Sequence, residues 1–251
     1  MPHLNELDEK YASRGLSVIA LTSEGAGQTE KWIEQNGAKY GYAYDKGGKL
    51  SRELGVSGIP NAVLVNPAGK VVWQGGPTGL TDDVIEQHLG GALATPVFEM
   101  PKEASAVAKS LRARSFAKAI SAADGLQDPS LKQSLEAMVA AQIEALKAAH
   151  ADGDFLTASE TAKRLAKEMN GLDAGVEAKA IAAEIGKDSA AKRVMKGQKA
   201  VRKLQDAPVK QPKDAAELIK KLRKIESKFE GTIAARDAAD YRGRLEDMMR
   251  R

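Results

Sequence analysis

Residues 56–70, Val56-Ser-Gly-Ile-Pro-Asn-Ala-Val-Leu-Val-Asn-Pro-Ala-Gly-Lys70, constrain this chain more than any other stretch. Gly58-Ile59-Pro60 runs straight into the apolar segment Ala62-Val63-Leu64-Val65. Asn66-Pro67-Ala68-Gly69 then has the chemistry of a tight turn: Pro presets φ at its second position and Gly tolerates the left-handed conformation that closes it. Lys70 to Trp73 returns as a second strand. A proline at the mouth of a strand costs no ladder hydrogen bond, because its missing N–H need not enter the pairing.

The residues around this hairpin place it in an α/β unit. Leu4, Leu7 and Tyr11 share one face at helical spacing, and Gly15 ends that helix. Leu16 to Leu21 is a nearly continuous apolar run, the pattern of a parallel strand buried on both faces. Gln28 to Gly37 reads as a short helix carrying Trp32 and Ile33. Tyr40-Gly41-Tyr42-Ala43-Tyr44 places alternate tyrosines on one face of an edge strand. Leu50 to Leu54 forms a helical turn or two. Thr81-Asp82-Asp83 caps a last helix bearing Val84, Ile85 and Leu89, with the acidic pair opposing the helix dipole.

This order resembles the thioredoxin superfamily, in particular the TlpA-type redoxins, over residues 1–90. The resemblance is carried by Asp45-Lys46-Gly47-Gly48-Lys49-Leu50, Leu54-Gly55-Val56 and the Gly58-Ile59-Pro60 hairpin, together with a Met1-Pro2-His3-Leu4 opening. It implies a cis Ile59–Pro60 bond, with Gly58, Ile59 and Pro60 facing a peptide or thiol substrate. It further implies a thiol–disulfide oxidoreductase acting on protein thiols and disulfides, in a periplasmic or other extracytoplasmic location. One central strand of that fold, and the Trp-Cys-x-x-Cys turn that follows it, have no counterpart in these residues. The expectation is therefore a truncated reading of a longer protein, with Met1 an internal methionine.

The chain contains no cysteine, which excludes disulfides, thiolate metal sites and thiol chemistry within these 251 residues. A redox-inactive fragment is one consequence. The rival reading is a Cys-free thioredoxin-fold protein that acts as an adaptor through its second part. No cofactor is implied. His3, His88 and His150 lie far apart with no metal-ligand spacing, so no metal site is expected. Gly75-Gly76-Pro77 and Gly90-Gly91 lack the Lys-Ser/Thr that would make a phosphate cradle.

Charge and composition change along the chain. Residues 1–90 hold eight Lys/Arg against eleven Asp/Glu, leaving 30 against 23 for the remainder. Residues 91–101, with two prolines and no helical period, read as a linker between a thioredoxin-like domain at 1–90 and a helical domain at 102–251. In the latter, Val107, Leu111, Phe116 and Ile120 fit one helix. Leu131, Leu135, Met138, Gln142 and Leu146 fit a second, begun by Asp128-Pro129-Ser130. After Gly153 the seam Phe155, Ala158, Ala162, Leu165, Met169 marks another, and Leu218, Leu222, Ile225, Phe229 one more. Gly171, Ala174 and Ala178 align with Gly231, Ala234 and Ala238 at an offset of 60, and Gly153-Asp154-Phe155 with Ala158 and Ala162 resembles a tetratricopeptide turn and second helix. Helical hairpins of tetratricopeptide-like character are the expectation. Between Ala191 and Lys228 there are 13 Lys/Arg and four Asp/Glu, with Phe229 the one aromatic nearby. This reads as a solvated helical face; acidic partners are the sharper alternative, and nucleic acid is not expected without interleaved aromatics. No apolar run approaches the ~20 residues that span a bilayer.

Overall fold

The computed structural model describes residues 2–56, 58–209 and 211–250. Met1 of the Met-Pro-x-Leu opening and Ser57 of the hairpin stretch lie outside them. The chain divides into two compact units, residues 1–142 and 143–251.

The first unit opens with α1 (Pro2–Tyr11), closed by a 3-10 turn and by Gly15 at φ 103°. Strand β1 (Ile19–Thr22), helix α2 (Ala26–Asn36) and strand β2 (Gly41–Tyr44) follow, with β1 and β2 paired in parallel from Ile19 opposite Gly41 to Thr22 opposite Tyr44. Helix α3 (Lys49–Glu53) leads to an antiparallel hairpin, β3 (Ala62–Val65) and β4 (Val71–Gly75). Its turn is closed by Gly69 N–H donating to the Asn66 carbonyl, with Gly69 at φ 77°. A short α4 (Asp82–Glu86) completes this part.

Among the described residues the strands make two separate two-stranded ladders. The expectation that Leu16–Leu21 is a strand buried on both faces is therefore corrected. The strand begins at Ile19, and both Ile19 (48% exposed) and Leu21 (39%) are open to solvent. Ile19 and Leu21 project from one face of β1, and among the described residues nothing covers that face enough to bury them. The core lies instead between α1, β3, β4 and α4, where Leu7, Tyr11, Leu64, Leu80 and Ile85 are buried with Leu4, Leu16 and Trp73 against them.

Helix α1 holds this core from both sides. Asn5 donates from Nδ2 to the Gly37 carbonyl and accepts from Lys39 N–H, at 2.8 and 3.0 Å, which ties α1 to the loop before β2. Lys10 meets Asp82 at 2.6 Å and Arg14 grips Glu86 with two hydrogen bonds of 2.6 Å. Lys10 and Arg14 also cover the Tyr11 ring, at 5.0 and 5.2 Å. The Asp82–Asp83 pair is thus more than a cap, and Thr81, at the N-cap, makes no side-chain capping bond.

From residue 105 onward every regular element among the described residues is an α-helix. The single helix expected over Val107–Ile120 is two: α5 (Ser105–Arg112) and α6 (Phe116–Ala123). Arg114 adopts φ 52°, and the Arg114 and Ser115 N–H groups turn back to Leu111 and Ser110 carbonyls, ending α5. A left-handed residue at a helix C-terminus usually is Gly, so Arg114 does not announce this break; the five-residue step from Leu111 to Phe116, off helical spacing, is its one local trace. α5, α6 and α7 (Ser130–Ala151) enclose Val107, Ala119, Ala123 and Leu135, and Leu93 and Met100 from the segment at 91–101 pack against them. At the start of α7, Asp128 accepts from Ser130 N–H at 2.8 Å.

The second unit begins within α7. It continues with α8 (Phe155–Glu168), α9 (Asp173–Lys187), α10 (Ser189–Gln205), α11 (Pro212–Lys228) and α12 (Ile233–Arg250). α8–α9 and α11–α12 are hairpins whose turns match residue for residue at the offset of 60, with Gly171 and Gly231 at φ 96° and 73°. α10 packs against α8 and α12. Gly197 makes this close approach possible: a Cβ there would stand 2.7 Å from the Ala234 Cβ and 2.9 Å from the Phe229 ring. A second core joins α10, α11 and α12 through Val201, Leu218, Leu222, Ala238 and Leu245.

Candidate functional site

Asp45 sets the approach to the proline loop. Its buried carboxylate accepts from Leu50 N–H, Ser51 N–H and Ser51 Oγ at 2.9, 3.0 and 2.7 Å. These bonds fix the start of α3, and the Ser51 hydroxyl and amide hold the Asp45 carboxyl below its ordinary pKa of 3.8. α3 ends at Gly55, at φ 69°, where Val56 N–H returns to the Ser51 carbonyl. The chain is thereby delivered to Gly58-Ile59-Pro60.

All three loop residues are exposed. Ile59 is 92% exposed, the most open large apolar side chain among the described residues, and the Ile59–Pro60 peptide is cis. Gln74 on β4 steadies the loop from behind: its Nε2 donates to Asn61 Oδ1 at 3.3 Å and to the Leu54 carbonyl at 3.4 Å. Beyond the loop, Val65 and Val71 on the hairpin are half exposed. β3 has one paired edge, to β4, and β1 one, to β2; their other edges are open among the described residues. An open strand edge with apolar side chains is a template for an added strand.

The three histidines are not brought together. His3 Nε2 lies 3.1 Å from the Leu80 carbonyl, and His150 meets the Phe155 ring edge-on at 5.7 Å. Among the described residues no cluster of acidic or histidine side chains could hold a metal. A cavity of about 540 Å³ lies between α2 and β2, lined in part by Thr22, Ile33, Tyr42 and Tyr44. The Tyr40 and Tyr42 rings stack at 5.5 Å, and burial pushes the Tyr42 hydroxyl pKa up. The sequence singles out the Gly58-Ile59-Pro60 loop as a candidate but not Asp45 and Gln74 as the residues that support it. Asp45 could have been found as an acidic residue five and six positions ahead of the α3 amides it caps; Gln74 carries no such local signal.

The AhpC/TSA family profile matches residues 1–74. A thiol-disulfide oxidoreductase ResA of Bacillus thuringiensis (strain Al Hakam) is 39% identical over 75 residues, 30% of this chain and 43% of that protein. The ResA of Bacillus anthracis is equally similar, and that of Bacillus thuringiensis subsp. konkukian is 36% identical over 73 residues, 29% of this chain and 42% of its own length. The chain thus spans less than half the length of these curated relatives. No solved structure matches it. The matched segment contains no cysteine, so it carries no thiol–disulfide chemistry of its own. Residues 1–74 thus match the AhpC/TSA redoxin family, and a largely helical remainder follows them.

Proposed function

We propose that residues 1–90 are the greater part of a TlpA-type thiol–disulfide oxidoreductase module. The missing strand and cysteine pair would be supplied by a segment outside these 251 residues. The observation that carries this is the pair of open strand edges. Among the described residues β1 and β3 each present an unpaired edge, and both strands carry exposed apolar side chains, Ile19 and Leu21 on β1 and Val65 on β3. A strand added between them would pair both edges, at about 4.8 Å from each neighbour. The thiolate of a following Cys-x-x-Cys turn would then attack a partner's disulfide beside Gly58, Ile59 and Pro60, forming a mixed disulfide that the second cysteine resolves. The substrates are protein thiols and disulfides, and the location is extracytoplasmic. The helical remainder is read as tetratricopeptide-like hairpins in a domain at 102–251.

A second reading rests on the complete absence of cysteine: the thioredoxin fold is a scaffold, and the protein is an adaptor acting through its helices. The genomic reading frame separates the two. The first expects an open frame upstream that encodes an apolar strand and a Cys-x-x-Cys turn; an in-frame stop directly before Met1 hands the case to the adaptor. On either reading the 251-residue chain does not reduce insulin disulfides, and a measurable rate from thiol-free preparations would sink both.

A further inference from the structure

Helix α10, Ser-Ala-Ala-Lys-Arg-Val-Met-Lys-Gly-Gln-Lys-Ala-Val-Arg-Lys-Leu-Gln, carries six basic residues and no acidic one. At about 100° per residue, Lys192, Lys196, Lys199 and Lys203 fall within an arc of roughly 60°. The buried residues of the same helix, Ala191, Val194, Gly197, Gln198 and Val201, lie on the opposite side. All four lysines are exposed, and none takes part in an ion pair among the described residues. The helix's two arginines differ. Arg193 donates to the Lys228 carbonyl at 2.8 Å and stacks over Phe229, and Arg202 pairs with Glu160 at 3.0 Å. The guanidinium groups are structural, and the ammonium groups are left to solvent.

Such a stripe is unfavourable by itself. Lys192–Lys196 and Lys199–Lys203 are like charges four residues apart, Lys196–Lys199 three apart, and each such pair weakens a helix. Lys192 also sits in the first turns, where the dipole disfavours a cation.

We infer that the lysine stripe of α10 is a docking surface for an acidic helix of a partner protein, with carboxylates at i, i+4, i+7 and i+11. The spacing carries the inference: the four lysines step along the axis by about 6, 4.5 and 6 Å, and a helix with that acidic pattern steps identically. Four ion pairs would form in register and the like-charge repulsion would be relieved. Nucleic acid fits less well. The face has no aromatic residue on which a base could stack and no free arginine to grip a phosphate with two hydrogen bonds.

Fluorescence anisotropy on the full chain tests this with a labelled helical peptide bearing glutamates at i, i+4, i+7 and i+11. A control peptide has the same composition with the glutamates scattered. The patterned peptide should bind about tenfold more tightly than the control at low salt, and the variant K192Q/K196Q/K199Q/K203Q should lose that difference with its circular dichroism unchanged. The charge-reversed variant K196E/K199E should instead prefer a peptide with lysines in the same pattern. Equal binding of the two glutamate peptides, undiminished binding by the folded quadruple variant, or tighter binding of a short DNA duplex or of phosphatidylglycerol vesicles overturns the assignment.

Discussion

Gln198 is the side chain on which the second unit's polar interior depends. It is 5% exposed; its Nε2 donates to Asp154 Oδ1 at 2.6 Å, and its Oε1 accepts from Leu156 N–H at 2.9 Å. α10 is thereby pinned to the N-terminus of α8, and both ends of the amide are satisfied. Gln198→Leu would leave the Leu156 amide unpaired in a buried setting, so a loss of about 1–3 kcal/mol is expected, measured by urea unfolding. Two glycines of α9 offer a matched contrast. A Cβ at Gly175 would stand 2.3 Å from the Met169 carbonyl oxygen, whereas nothing lies within 4 Å of one at Gly186. Gly186→Ala should therefore stabilise the protein by about 0.5–1 kcal/mol, through helix propensity. Gly175→Ala should destabilise it by about 1–3 kcal/mol, because backbone must move. Equal effects at the two positions would contradict the packing described here.

Between elements, the clamp of α1 on α4 sets an acid limit. Arg14, through its hydrogen bonds, holds Glu86 below its ordinary pKa of 4.5, and Lys10 does the same to Asp82, ordinarily 3.8. The folded state therefore binds fewer protons than the unfolded chain in that range. The clamp's contribution is fully present above about pH 4.5 and is lost as pH falls through the lowered, folded-state values. Thermal melts between pH 2 and 6 should show a smaller acid-side drop in D82N/E86Q than in the parent protein. Both pairs are about half exposed, so added salt should shrink the difference further. This clamp was only partly legible in the sequence: Asp82 and Asp83 announced a helix start, but their neighbour Lys10 lies 72 residues away. The division of α5 from α6 was only faintly legible, for a different reason. The five-residue step from Leu111 to Phe116 departs from helical spacing, but the one residue that makes the break, Arg114, is not of a type that favours φ 52°.

For the whole molecule, the segment at 91–101 bears on where a helical fragment can be cut. Leu93 and Met100 pack against Val107, Ala119, Ala123 and Leu135. A fragment of residues 91–251 should therefore melt cooperatively and several degrees above one of residues 102–251, by circular dichroism, since about 1 kcal/mol moves the midpoint of a domain this size by roughly 2–4 °C. Equal midpoints would mean that those two side chains contribute nothing. The sequence by itself determined what is local: the Asn66–Gly69 turn, the Gly and Pro punctuation, the helical periods from Leu131 to Met248, and the absence of any thiol. Each depends on residues within one or two turns of one another, whose φ/ψ preferences and side-chain spacing are written in adjacent positions. Tertiary structure alone decided that β1 and β3 stand in separate ladders, that Ile19 and Leu21 face solvent, and that Asp154, Gln198 and Leu156 meet. The β1–β2 pairing joins residues 22 positions apart and the buried hydrogen bonds of Gln198 join residues 42 and 44 apart, and a local pattern holds no record of which distant partner will satisfy them.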